Sequence, residues 1–331
     1  MAKPSEDPWA VRSADFPARG SREQQLKFLL RYAILAPSNR NTQPWRFALA
    51  RDQITIHSDS SRWQEVSDSH QRELYISLGC ALENLLIALE HFGIGYVVTR
   101  APGAEDESIA VQIAILDRPV ASPYRANLFK AIVRRHTHHG RYRRRALAPK
   151  LLRRLADCRV EHDLNLLLTP DGAIKRSVDR LMLEGDALAF SNPRYRKELA
   201  DCIGEGSFGG PWLLSLAQEF AVAHLGVSKA VARGDHAALM SSPVFGLISG
   251  RAGSNEARIK AGQLLERLYL AATTLGLVLQ PISQLLEVES VRLKFSKLFR
   301  AGGVPLMPFR LGYADTPGHR TPRRALEEVL L

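Results

Sequence analysis

Apolar residues recur every three to four positions over Leu26, Leu29, Leu30, Ala33 and Ile34, which predicts an amphipathic helix ended by Pro37. Phe47 to Ala50 and Ile54 to His57 alternate around Arg51 and Asp52 and predict a short β-hairpin. A long helix follows over Glu73 to Phe92, with Leu74, Leu78, Leu82, Leu85 and Leu89 at helical spacing and Gly93 as its stop. Strands are expected at Tyr96 to Thr99 and Ile109 to Leu116. Beyond a break at Pro119 to Pro123, helices are expected at Asn127 to Val133, from Pro149, and at Ala173 to Phe190, with a strand at Leu164 to Leu168 between the last two. Val244 to Ser249 reads as a buried strand, and Glu256 to Leu275 as a helix that Gly276 ends. The last predicted elements are a strand at Val278 to Ile282, a helix at Leu285 to Phe299, a strand at Leu306 to Leu311, and a short helix begun by Pro322.

Two of these helices match each other. Gly79, Leu82, Glu83, Leu85, Ala88 and Gly93 reappear as Gly262, Leu265, Glu266, Leu268, Ala271 and Gly276 at a constant offset of 183 residues. Amphipathic helices share Leu and Ala by periodicity alone, but matching glycines at both ends, each followed by a strand, point to an internal duplication. Ser191 to Ser242 interrupts the repeat with weak patterning and a cluster of Gly204, Gly206, Gly209, Gly210 and Pro211 beside Phe208 and Trp212. It is expected to act as a lid over a site, with outer packing as the alternative.

Composition narrows the class. The 331 residues are 45% hydrophobic and 24% charged, a globular balance. The N-terminal residues lack the apolar run of a signal peptide, and no stretch of about 18 consecutive apolar residues predicts a membrane span. The expectation is therefore a cytoplasmic protein with no membrane partner. Cys80, Cys158 and Cys202 lie far apart, which predicts buried thiols and no disulfide framework. The formal charge of +11 favours an anionic partner: nucleic acid, a lipid surface or a phosphorylated small molecule. Between Arg118 and Ala156 there is no Asp or Glu and there are twelve Lys and Arg.

Candidate chemistry lies in two stretches. Ala36 to Trp45 places Ser38, Asn39, Asn41 and Thr42 between Pro37 and Pro44, a restrained polar loop suited to ligand contact. Arg135 to Tyr142 allows three readings. Adjacent histidines on one loop make a poor metal site, and aromatic interleaving is too sparse for a strong nucleic-acid patch. The forked donors of Arg135 and the Thr137 hydroxyl suit a phosphate. A Gly-x-Gly-x-x-Gly at Gly204, Gly206 and Gly209 follows a helical pattern, not a strand, so it does not predict a dinucleotide loop.

Pro37-Ser38-x-x-Asn41-x-Gln43-Pro44-Trp45 resembles the signature loop of the nitroreductase-like FMN flavoproteins, and the duplication resembles their single-chain Acg-type subgroup, over about Gln24 to Leu330. The resemblance implies an α+β fold: two nitroreductase-like halves, each a mostly antiparallel sheet wrapped by helices, about a pseudo-twofold axis. The halves would span 22–122 and 123–331, with 1–21 as an N-terminal extension and 191–242 as the insertion. It also implies one FMN per chain, NAD(P)H as electron donor and a small-molecule acceptor such as a nitroaromatic or quinone. The chain imitates a dimer, so a monomer suffices. Arg135, His136, Thr137, His139 and the C-terminal Arg323 would hold the phosphate side. Ser38, Asn41 and Gln43 would hold the ring, and the backbone of Gln280, Ile282 or Ser283 would meet flavin N5. His139 replaces the family's usual Arg or Lys and supplies a positive charge only when protonated. Neither a catalytic side chain nor a metal is implied, since the flavin carries the chemistry. An FMN-sequestering protein with little turnover is the alternative, and a basic nucleic-acid-binding protein a second one.

Overall fold

The computed structural model describes residues 7–103, 106–205, 228–315 and 320–331. Its helices, in chain order, are α1 (Arg22–Ala33), α2 (Arg72–His91), α3 (Phe129–Ile132), α4 (Pro149–Ala156), α5 (Gly172–Ser191), α6 (Pro193–Gly204), α7 (Ser228–Ser241), α8 (Asn255–Thr274), α9 (Gln284–Glu287) and α10 (Glu289–Leu298). The strands are β1 (Trp45–Ala50), β2 (Gln53–Ser58), β3 (Gly95–Arg100), β4 (Ile109–Leu116), β5 (Leu164–Thr169), β6 (Val244–Gly250), β7 (Val278–Pro281) and β8 (Val304–Gly312).

The strands form two antiparallel four-stranded sheets, ordered β1-β2-β4-β3 and β5-β6-β8-β7. Both sheets follow one scheme, with the long helix (α2 or α8) inserted between the second and third strands. The fold is α+β, with one arrangement of strands and long helix repeated within the chain. The pseudo-twofold axis passes where α2 and α8 cross. A Cβ on Gly79 would lie 2.1 Å from the Ile259 carbonyl oxygen, and one on Gly262 would lie 2.0 Å from that of Ile76. Ile76 and Ile259 are themselves 183 residues apart, so each helix presents the same contact to the other. Only glycine permits backbones this close. The length and apolar character of α2 follow from burial between the two halves: Leu78, Leu82, Leu85 and Leu89 have no exposed surface.

Two fully buried glutamates stand at equivalent places on the crossing helices and are treated in opposite ways. Glu83 accepts from Arg125 Nε (2.6 Å), Gln263 (2.8 Å) and Arg267 Nη1 (3.0 Å). Burial alone would raise its pKa, but the Arg125 and Arg267 charges win and hold it at about 2. Neither carboxyl oxygen of Glu266 meets a hydrogen-bond donor at bonding geometry among the described residues, and Arg135 Nε lies 3.7 Å away. Burial therefore lifts its pKa to about 7.

Most elements fall where the patterning places them, and the departures have local causes. The helix expected over Leu285 to Phe299 is broken at Val288, which is extended (φ −95°, ψ 122°) and packs on the Phe190–Tyr195 cluster. The helix expected at Asn127 to Val133 shrinks to α3, because Leu128, Ala131 and Arg134 donate to carbonyls three residues back, which is turn geometry. Within the insertion, α6 and α7 are regular helices. Gly206, Phe208, Gly209, Gly210, Pro211 and Trp212, on which the lid expectation rests, lie outside the described residues.

The chain ends by crossing back to the first sheet. Phe47 N–H donates to Val329 O (2.7 Å) and Leu331 N–H to Phe47 O (2.9 Å), so the terminus lies parallel along edge strand β1. The 135–139 segment covers the edge of β7 in the same way, through a parallel bridge between Thr137 and Leu279. These two edge additions bring Arg323 and Arg135 together.

Candidate cofactor and substrate cavity

A capping box starts α1, with Ser21 N–H and Gln24 N–H bonded to each other's side chains at 2.8 and 3.2 Å. At its other end Pro37 stops the helix, which leaves the Leu35 and Ala36 carbonyls free of helical partners. Two guanidinium groups take those carbonyls. Arg135 Nη2 donates to Leu35 O (3.3 Å), and Arg323 Nη2 donates to Leu35 O (3.2 Å) and Ala36 O (3.0 Å). Arg323 Nη1 also reaches the Asn41 and Thr321 side chains at 2.8 and 2.7 Å.

Both arginines are buried, at 2% and 9% exposure. Arg135 Nε and Nη1 and Arg323 Nε nevertheless lack a hydrogen-bond acceptor among the described residues. Burial and the neighbouring Arg135 charge depress the Arg323 pKa. A guanidinium does not deprotonate in a protein, so the depression records an unfavourable concentration of positive charge. An anion placed against these donors removes that cost. The aromatic bodies of Trp9 and Tyr269 complete the wall, with Arg323 Cζ 4.9 Å from the Trp9 ring and Arg135 Cζ 5.1 Å from Tyr269. Thr137 Oγ1 lies 3.0 Å from the Tyr269 hydroxyl.

The loop beyond Pro37 is strained: Arg40, Asn41 and Gln43 have φ of 46°, 57° and 52°, a left-handed conformation uncommon outside glycine. Ser38 Oγ accepts from Gln43 N–H (2.9 Å), and Gln43 Oε1 accepts from Arg324 N–H (2.9 Å). The C-terminal segment thus holds the loop in shape.

These groups border a cavity of about 760 Å³, within the range of small-ligand sites. Of the residues expected from sequence, Ser38, Asn41, Arg135, His136, Thr137, His139, Gln280, Ser283 and Arg323 line it. Gln43 and Ile282 do not. Gln43 is buried and braces the loop. Ile282 corrects the expectation for a backbone donor: its N–H is taken by Pro308 O (2.8 Å) and its side chain lies in the core with Phe245 and Leu285. Ser283 N–H has no backbone acceptor among the described residues.

His139 lines the cavity in a defined tautomer. Gln280 Oε1 accepts from Arg310 Nε (2.9 Å), which fixes the amide so that Nε2 donates to His139 Nδ1 at 3.0 Å. The ring proton therefore sits on Nε2. Burial and the Arg310 charge both lower the His139 pKa. Position 139 is thus a neutral N–H donor and carries no positive charge near neutral pH.

Several cavity residues escaped the sequence reading. Trp9 comes from the N-terminal extension, where its Nε1 donates to Thr321 O (2.9 Å). Phe190, Tyr195, Leu199 and Asp235 come from α5 and the insertion, and Glu73, Asp186 and Glu287 add three further carboxyl groups. Burial raises the pKa of Glu73 and of Asp186 to about 7, and it raises that of Glu287. Asp186 carried a readable signal. It occupies the Val178, Met182, Asp186, Phe190 stripe of α5, where an otherwise apolar face turns inward.

No family model matches the chain. A protein of Mycobacterium tuberculosis named "Putative NAD(P)H nitroreductase" is 27% identical over 339 residues, covering 93% of this chain and 91% of the relative. "Putative NAD(P)H nitroreductase acg" of the same organism is 24% identical, covering 92% and 94%. Both similarities run along almost the whole length of the chain. The chain is also similar to "Probable NAD(P)H nitroreductase PigM" of a Serratia strain, at 23% identity with 93% of each covered. Among solved structures, the FMN-dependent nitroreductase NfnB of Mycobacterium smegmatis is 16% identical, covering 61% of this chain and 96% of that one at a TM-score of 0.40. The Desulfitobacterium hafniense nitroreductase with bound FMN is 14% identical, covering 58% and 93% at 0.41.

Proposed function

We propose that the chain is an FMN-dependent NAD(P)H oxidoreductase that reduces a nitroaromatic, quinone or similar small acceptor. The observation that carries this reading is the pair of buried arginines, Arg135 and Arg323, converging on Leu35 O with unpartnered N–H groups at the cavity wall. Such donors fit a phosphate dianion. When bound, FMN supplies hydride transfer between NAD(P)H and the acceptor. The chain's own residues have separate tasks. Arg135, Arg323 and Thr137 hold the phosphate, and the Ser38–Asn41 loop lies against the ring system. His139 Nε2–H and Ser283 N–H offer donors to its polar edge, and Phe190, Tyr195 and Leu199 exclude water. The relatives named NAD(P)H nitroreductase support this assignment.

The test is FMN titration of cofactor-free protein. Arg135→Ala and Arg323→Ala should each weaken binding roughly ten- to a hundredfold, the worth of about 1.5–3 kcal/mol for a charge-assisted bond. Unchanged affinity in both variants overturns the phosphate assignment. Walling of the cavity by insertion residues favours a second reading, FMN sequestration with little turnover. Steady-state NAD(P)H oxidation separates the two.

A further inference from the structure

Among the described residues four carboxyl groups border the cavity, and three have a cationic partner. Glu73 lies 2.5 Å from Arg72 Nη1, Glu287 lies 3.7 Å from Arg40 Nη2, and Asp235 accepts from Arg310 Nη2 at 3.0 Å. Asp186 is the fourth. It is 5% exposed, lines the cavity, and makes no hydrogen bond or ion pair among the described residues; its Oδ2 is buried and unpartnered. The groups that face it are the Asp235 carboxylate of α7, the Glu287 carboxyl of α9, the Tyr195 hydroxyl of α6 and Arg310 of β8. The Arg310 guanidinium is already committed to Gln280 and Asp235.

A carboxylate buried beside two other acids, without a donor of its own, is costly, and such a group retains its proton. Burial first, and then the Asp235 and Glu287 carboxyl groups, raise its pKa to about 7. With no acceptor among the described residues, the O–H is left to donate into the cavity.

We propose that Asp186 is the proton donor to the acceptor reduced in this cavity. The proposal rests on the oxidoreductase reading above. Reduction of a quinone by NAD(P)H consumes one proton beyond the hydride: NAD(P)H, H⁺ and quinone give NAD(P)⁺ and hydroquinone. Asp186 supplies that proton. Its O–H bond breaks, an O–H bond forms on the quinone oxygen, and after product leaves the carboxylate takes up a proton from bulk solvent, relayed by water entering the cavity.

Two measurements test it. The first compares NAD(P)H-driven reduction of a benzoquinone with that of ferricyanide, which takes electrons without a proton. In Asp186→Asn the quinone-to-ferricyanide rate ratio should fall about a hundredfold, within the range for loss of a general acid. Wild-type quinone reduction should also decline as pH rises through about 7, and the variant should lack that limb. An unchanged ratio overturns the proposal, as does equal loss with both acceptors. The second follows the Asp186 carboxyl ¹³C resonance of cofactor-free wild-type protein against pH, so it needs neither turnover nor a variant that folds. A titration near neutrality supports the donor, and a group ionised throughout above about pH 5 overturns it. Protein that binds no flavin and oxidises no NAD(P)H with either acceptor defeats the oxidoreductase reading instead, and the resonance still decides whether the cavity holds a proton donor.

Discussion

The equivalent glutamates on α2 and α8 offer a controlled comparison: one substitution, made at two places related by the repeat. Glu83→Gln removes the charge that Arg125 and Arg267 share, and both guanidinium groups are nearly inaccessible, at 5% and 1% exposure. Breaking a buried pair from one side costs about 3–5 kcal/mol. Titration gives a similar scale. Glu83 falls from 4.5 to about 2 on folding, worth roughly 3 kcal/mol at 1.36 kcal/mol per pH unit. Its folded pKa is depressed, so that stability is present above about 4.5 and is lost as pH falls toward 2. Glu266 has the opposite sign. Its folded pKa is raised to about 7, so it favours the folded state while protonated and loses roughly 3 kcal/mol as pH climbs from 4.5 through 7. Urea denaturation of cofactor-free protein at about pH 8 should therefore show Glu83→Gln destabilised by about 3–5 kcal/mol and Glu266→Gln stabilised, by up to about 3. At about pH 5 the gain from Glu266→Gln should nearly vanish. Equal destabilisation by the two substitutions would refute the claim that the repeat holds one ionised and one strained acid.

Released flavin measured against protein should give one FMN per chain, because the second half has Asp157 to Leu164 where the first has its Ser38–Asn41 loop; a ratio near two contradicts the pseudo-dimer. Gly79→Ala places a Cβ about 2.1 Å from a backbone oxygen and should lower stability by at least 1–3 kcal/mol, read as a lower melting temperature. A melt unmoved by it would show that the helices are not in close contact. Ser283→Ala should alter NAD(P)H oxidation only mildly, since the group offered to the cavity is the backbone N–H; a large loss would assign the hydroxyl a role of its own.

Periodicity and glycine placement were enough to read the long helices and the eight strands, because each is specified by residues close in sequence. The meeting of Arg135 with Arg323 was legible only through the resemblance. Its physical basis is a pair of edge-strand additions, at Phe47 and at Thr137, that leave no local pattern. The acid wall was illegible for a related reason. Glu73, Asp186, Asp235 and Glu287 come from four helices, and each alone looks like an ordinary surface charge. Only Asp186, set among Val178, Met182 and Phe190, broke a pattern that sequence could display. The break at Val288 was hidden too, since the apolar spacing of Leu285 to Phe299 runs through it; Val288 packing and the engagement of Glu287 with Arg40 outweigh the local preference.

The parallel pairing of Val329–Leu331 with β1 makes this segment a clasp. Arg323 sits six residues before Val329, on the same strap that hydrogen-bonds to Phe47. Anything that lifts the strap withdraws a ligand-holding charge and uncovers a sheet edge in one event. The reverse holds by linkage: an anion seated on Arg323 favours the closed strap and should slow its proteolysis. Nicking of the strap is thereby a gauge of what the cavity contains.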